Sequence, residues 1–244
     1  MACGVNNLLT KLAFKAGSGA LDFSSGATGV EYTSHTLKSQ GTLLRSQGIR
    51  GTRSASVNQS RRGAYTVGGA INFDLSPAAL LLWGNYALGA NASGVLTPAE
   101  TLSTFGLMAD KQSKIERYET CKVGKMVIRG SSGGLVSATV DIVGLGWTGT
   151  GLSYPTLTLG SDATYAPLAF SDLVLEFAAT AFECNSFELT IDNTISPRVS
   201  NALYPGCARE SDRVVTLNAN LVSTTGAQTL LDEPDLDGVA CDLA

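Results

Sequence analysis

Hydrophobic and polar residues alternate with a period of two in four stretches of this chain. From Tyr65 to Leu75 the odd positions Tyr65, Val67, Gly69, Ile71, Phe73 and Leu75 are mostly apolar, and Thr66, Gly68, Ala70, Asn72 and Asp74 between them are small or polar. Successive side chains of a strand point to opposite faces, so this pattern predicts a strand with one wet face. The same period recurs in Val136, Ala138, Val140 and Ile142, in Phe187, Leu189 and Ile191, and in Val215, Leu217, Ala219 and Leu221. Less regular strand candidates lie at 42–49, 101–108, 114–120, 125–129 and 173–177, bounded by Gly, Ser and Asp turn residues. An antiparallel β-sandwich or barrel follows.

One segment breaks the period. Ser76 can cap a helix, Pro77 suits its first position, residues 78–88 are good helix formers, and Gly89 can take the left-handed conformation that ends it. The fold class is therefore all-β with one helix, at about 77–88. Its residues Leu80, Leu81, Trp83, Ala87 and Leu88 are apolar around much of the circumference, so the helix must cover a sheet face or meet another subunit.

The chain has 244 residues, 44% of them hydrophobic and 16% charged, enough for a sizeable core. All-β sandwiches of this length commonly form one unit, so a single domain over 1–244 is expected. With 17 Lys and Arg against 21 Asp and Glu, the net charge of −4 argues against a generally basic nucleic-acid binder. The charge is unevenly placed. Lys38, Arg45, Arg50, Arg53, Arg61 and Arg62 lie in a Ser, Gly, Gln and Asn stretch without an acid, which reads as a long loop over about 38–62. Beyond Gly226, Asp232, Glu233, Asp235, Asp237 and Asp242 have no basic companion and form an acidic tail over about 226–244. Both can be solvated surfaces, or a basic loop of one subunit can seek an acidic surface on the next. The first twenty or so residues read as an irregular arm. Asn6, Asn7, Thr10, Lys11 and Lys15 interrupt its apolar residues, so no signal peptide is read and the chain is expected to start in a cytoplasm. The longest apolar stretch, around Leu80 to Trp83, is far short of the roughly 20 residues a membrane-spanning helix needs.

Motifs for catalysis are weak. His35 is the single histidine, and its neighbours Thr33, Ser34 and Thr36 do not resemble a nucleophile elbow. Gly144-Leu145-Gly146-Trp147-Thr148-Gly149 spells GxGxxG, but Ser153, Tyr154 and Pro155 follow where a phosphate-binding helix should begin, so a bend between strands is expected. Glu233 to Gly238 imitates a calcium loop whose twelfth position falls on Ala244, where a bidentate Glu is needed. The five cysteines, Cys3, Cys121, Cys184, Cys207 and Cys241, are scattered and never in a Cys-x-x-Cys pair, which fits reduced thiols. No catalytic residue, cofactor site or metal site is assigned, and no enzyme is expected.

Three groups of residues carry a resemblance. The run Ile49-Arg50-Gly51-Thr52-Arg53, then Gly63 to Ile71, then the helix ending Tyr86-Ala87-Leu88-Gly89, resembles the N-terminal half of tail tube proteins of long-tailed bacteriophages. Tyr118 to Met126 followed by Gly130 to Val136 is similar to that family's strand, turn and strand pattern, as are Leu189 to Asn193, Pro205-Gly206 and Val214 to Leu221. The resemblance covers roughly residues 21–223. It implies a structural virion protein of the tail, made in the cytoplasm of a bacterial host, that forms homo-hexameric rings stacked helically into a hollow tube. Double-stranded DNA would pass non-specifically through the lumen, and the tape measure, terminator and baseplate proteins would be neighbours. The family's tube proteins carry a long loop that bridges rings, and the basic loop with Lys38, Arg45, Arg50, Arg53, Arg61 and Arg62 is the candidate for it; its charges are expected to meet acids on the neighbouring ring, Asp232, Glu233, Asp235 and Asp237 or acids on strand ends. The alternatives are a related tail component such as a terminator or distal tail protein, a type VI secretion-like tube protein, or a ligand-binding β-sandwich.

Overall fold

Antiparallel strands and a single α-helix make up the molecule, in a computed structural model that describes residues 10–45, 60–157, 166–177, 180–222 and 241–243. The first strands are β1 (Lys11–Ala16), β2 (Thr28–Val30), β3 (Ser34–His35), β4 (Lys38–Arg45) and the long β5 (Ser60–Asp74). The helix α1 (Pro77–Leu88) leads into a hairpin of β6 (Gly89–Ala92) and β7 (Val95–Pro98), then β8 (Phe105–Asp110), β9 (Ile115–Ser131), β10 (Ser137–Gly144) and β11 (Gly146–Thr148). After them come β12 (Leu175–Phe177), β13 (Thr180–Phe182), β14 (Cys184–Asp192), β15 (Ser196–Arg198), β16 (Cys207–Arg209), β17 (Val214–Leu221) and β18 (Cys241–Leu243).

Among the described residues, eleven strands join in one sheet, and β9 is its pivot. Its first half pairs with β8 and β11, extending through β1 to β2. Its second half pairs with β10 and β14, extending to β5 on one side and β17 on the other. The change of neighbours falls where the register slips between Phe105 and Leu107 of β8, opposite Thr120, whose φ of 50° is a costly conformation for a β-branched residue. The Gly19 amide donates to Thr120 Oγ1 at 2.8 Å across this corner. The two halves so formed and α1 enclose a main core that runs from Leu12 and Phe14 through Ile71, Phe105 and Tyr118 to Val140, Phe187 and Ile191.

The helix spans the residues the sequence predicts. Ser76 Oγ accepts from the Ala79 amide at 3.2 Å, Pro77 opens the first turn, and Gly89 closes the last with φ of 102°. Trp83 is fully buried against the rings of Phe14, Phe73 and Phe105, so the helix covers the core. The GxGxxG run is a bend: Gly144 ends β10 and Gly146 starts β11.

Two expectations need correction. The arm at about 1–20 is not irregular throughout, because residues 11–16 form β1, held between β2 and β8. Leu12 and Phe14 enter the main core and Ala13 a second small cluster with Phe23 and Met108, so the strand is buried on both faces and shows no alternation. Residues 1–9 lie outside the described residues. The segment 38–62 is likewise not a loop throughout: residues 38–45 are β4, and 60–62 open β5, its partner. This two-stranded ribbon is mostly solvent-exposed along β4, which is why its strand residues are polar. Residues 46–59, including Arg50 and Arg53, lie outside the described residues, as do 223–240 and the acids Asp232, Glu233, Asp235 and Asp237. The candidates 114–120 and 125–129 are halves of the single strand β9.

Candidate assembly surfaces

The second half of the sheet has one face on the core and one in solvent. Ile71, Phe73, Ala138, Val140, Met126, Ile128, Phe187 and Ile191 fill the core side. On the other side, cross-strand pairing sets Ser34, Asn72, Thr139, Val127, Thr190 and Thr216 in one row over six strands. Asn72 Nδ2 donates to Ser34 Oγ at 2.9 Å, and Thr139 Oγ1 donates to Asn72 Oδ1 at 2.8 Å. A second row runs Asp74, Ser137, Arg129, Glu188 and Asn218, in which Arg129 Nε meets Glu188 Oε2 at 2.5 Å. A third runs Ala70, Asp141, Lys125, Asp192 and Val214, so Lys125 sits between two acids. Four acids and two bases thus share a face with hydroxyls, amides and the apolar Ala70, Val127 and Val214.

Among the described residues that half of the sheet ends in two open edges. At one end β17 pairs with β14 alone among the described residues, and its Val214 and Val215 are exposed. At the other end is the ribbon of β4 and β5. The structure brings Arg45, Arg61 and Arg62 together near the ribbon's far end, where Leu44 pairs with Arg61 and Leu43 with Arg62. Leu43 and Leu44 are 55% and 59% exposed. Lys38 lies at the base, opposite Gly68. β5 passes from its ladder with β10 into the ribbon at Gly68 and Gly69, with φ of 150° and 147°. A Cβ at Gly68 would lie 2.1 Å from the Ile142 carbonyl oxygen, and one at Gly69 2.5 Å from that of Thr36.

A polar cluster grips the ribbon's root. The Leu37 carbonyl accepts from Lys111 Nζ at 2.7 Å, and the Tyr118 hydroxyl lies 2.9 Å from it and 2.7 Å from Glu116 Oε2. Glu116 also accepts from Lys111 at 2.6 Å and pairs with Lys114 at 3.1 Å. Burial alone would raise the Glu116 pKa, but the hydrogen bonds from Lys111, Tyr118 and Lys114 hold it at about 2. Burial, then the Glu116 hydrogen bond, pushes the Tyr118 phenol up. His35 sits beside this cluster with its ring 5.2 Å from Tyr32, and burial, then Lys111, lowers its pKa. Among the described residues no group of three His, Cys, Asp or Glu side chains is arranged to hold a metal. Cys121 is fully buried, Cys184 half-buried and Cys207 exposed.

Sequence reasoning overlooks this cluster, and also Asn193, Glu210 and Arg213, which tie the start of β17 to the helix end. Alternation of Lys114, Glu116 and Tyr118 on one side of β9 is the only signal available for the first group. For the second there is none, because its contacts span up to 114 residues.

The family model of phage tail tube proteins matches residues 10–233. The chain belongs to the phage tail tube protein family. No curated protein matches its sequence. The tube protein is a structural component of the phage tail, and it assembles with itself and with other tail proteins. No helix among its described residues is long and apolar enough to cross a membrane.

Proposed function

We propose that this tube protein closes into hexameric rings that stack helically into a hollow tube, with the polar sheet face lining the lumen through which double-stranded DNA is ejected. The observation that supports it is one sheet combining a polar, net acidic face with a strand at each end that, among the described residues, pairs on one side only. Open edges carry free backbone donors and acceptors and invite pairing. Joining edge to edge around a rotation axis satisfies them, and head-to-tail contacts along that axis build a filament. A lumen face on which Arg129 pairs with Glu188 and Lys125 lies opposite two acids suits sliding DNA, because each phosphate neutralised by Lys or Arg adds counterion-release affinity that would hold the duplex.

The ribbon is the stacking element in this reading. Arg45, Arg61 and Arg62, with Lys38 at the base and Arg50 and Arg53 in the connecting segment, meet acids on the next ring, Asp232, Glu233, Asp235 and Asp237 among them. Exposed ion pairs contribute about 0–1 kcal/mol each. Stacking affinity must therefore come from their repetition around the ring together with burial of Leu43 and Leu44. The tape measure, terminator and baseplate proteins would cap or fill the tube.

Electron microscopy of the purified protein, dilute and concentrated, tests the reading. Long tubes built from six-fold rings are expected; rings that never polymerise would point to a terminator or distal tail role instead. Reversing the charge of Arg50, Arg53, Arg61 and Arg62 together should leave rings but abolish tubes. Tubes with the parent's salt dependence would remove the ribbon from stacking.

A further inference from the structure

Strand β17 is thinly held along its length yet tightly fixed at its start. Among the described residues its only ladder is with β14, and its side chains are exposed or half-buried, so burial does little to set its direction. A strand with one neighbour twists and frays more readily than one inside a sheet. Just after β14, Asn193 is buried at 2% exposure with its amide group bonded on both atoms. Its Nδ2 donates to the Ala87 carbonyl in the last turn of α1 at 2.9 Å and to the Val123 carbonyl of β9 at 3.0 Å. Its Oδ1 accepts from Arg213 Nε at 2.8 Å, and Arg213 Nη2 donates to the Ala99 carbonyl at 3.0 Å. Glu210 accepts from the Leu102 amide at 3.2 Å and pairs with Lys122 of β9.

We propose that Asn193, Arg213 and Glu210 are positioning residues for subunit joining: they clasp the entry of β17 to α1 and β9, so that its open edge meets the neighbouring copy at a fixed angle. The inference rests on the edge-to-edge reading above. Arg213 is the residue best suited to fix an angle, because a planar guanidinium donates in two set directions while a lysine ammonium is a single mobile point. Asn193 satisfies a carbonyl of the helix end that has no partner within the helix, which ties the clasp to the most rigid element available. Within the clasp Asn193 is buried against the carbonyls of the core residues Ala87 and Val123, whereas Arg213 is only half-buried and is the member to vary.

The test uses the full chain with Arg213→Lys and Arg213→Ala, comparing melting of the unassembled subunit with the critical concentration for assembly. Melting is expected to fall by only a few degrees, the scale of one lost hydrogen bond within the subunit. The critical concentration should rise about tenfold or more, because the loosened strand must be ordered when copies join. Amide exchange at 214–217 in the unassembled subunit should be faster in both variants. An unchanged critical concentration, or an assembly defect that vanishes when an osmolyte restores subunit melting, overturns the proposal. If Arg213→Ala does not fold, Arg213→Lys decides by the same criteria. Val215→Lys, on the exposed part of β17 outside the clasp, separates the two readings. Normal assembly of that variant overturns edge pairing and the clasp with it, whereas its failure beside normal assembly of Arg213→Lys overturns the clasp alone.

Discussion

Trp83 shows how much one side chain can carry. It has no exposed surface, and ring centroids of Phe14, Phe73 and Phe105 lie 5.8, 6.1 and 5.8 Å away. Removing it opens a cavity that three packed aromatic rings cannot close, so Trp83→Ala should cost about 3–5 kcal/mol in urea unfolding. Its Nε1 is buried without a hydrogen-bond partner among the described residues. Trp83→Phe should therefore lose far less, because it removes a donor that folding leaves unsatisfied. Equal losses in the two variants would contradict this division. Glu116 is the residue that makes stability depend on acid. Its carboxyl, ordinarily near 4.5, sits at about 2 in the folded chain, so its contribution is complete above the first value and is lost as pH falls to the second. Glu116→Gln should be less stable at neutral pH and show a shallower loss of stability between those two values, read from urea midpoints across an acid series.

At the scale of elements, the passage of β5 into the ribbon depends on glycine. Gly68 and Gly69 combine positive φ with carbonyl oxygens where a Cβ would lie, so either alanine must both strain the backbone and push β10 or residues 36–37 aside. Gly68→Ala should destabilise by about 2–3 kcal/mol or more. Gly134→Ala, where a Cβ meets only ordinary contacts, should change melting little. Elements with one wet face were legible in the sequence: β10, β14, β17 and the far half of β5 alternate as their burial does. The helix was legible from its caps, because Ser76, Pro77 and Gly89 act locally. Elements without that asymmetry were not. β1 is buried on both faces and β4 is exposed along nearly its whole length, so neither alternates. β9 read as two strands because the corner at Thr120 breaks its period. The basic residues of the ribbon were visible as a cluster, but the clasp around Asn193 was not, since its partners at Ala87 and Val123 are 106 and 70 residues away.

For the whole molecule, the polar face sets a test of the lumen. Asp141 and Asp192 flank Lys125, and replacing both acids with Lys changes the face from four acids and two bases to two acids and four bases. Tubes of that variant should retain short DNA duplexes at low salt and release them as salt rises, with a slope growing by about 0.9 for each phosphate neutralised. Parent tubes should retain none in the same sedimentation assay. Retention by neither would mean that the face does not meet DNA.

The continuity of β9 has a mechanical side. Its seventeen residues run from one half of the sheet into the other without a break, so a load pulling the halves apart falls on peptide bonds. A load peeling β17 from β14 meets only a ladder that can open one rung after another. The subunit is therefore stiff across its corner and compliant at its rim. A filament built from such pieces yields first where copies meet, and it can flex there while each piece keeps its shape.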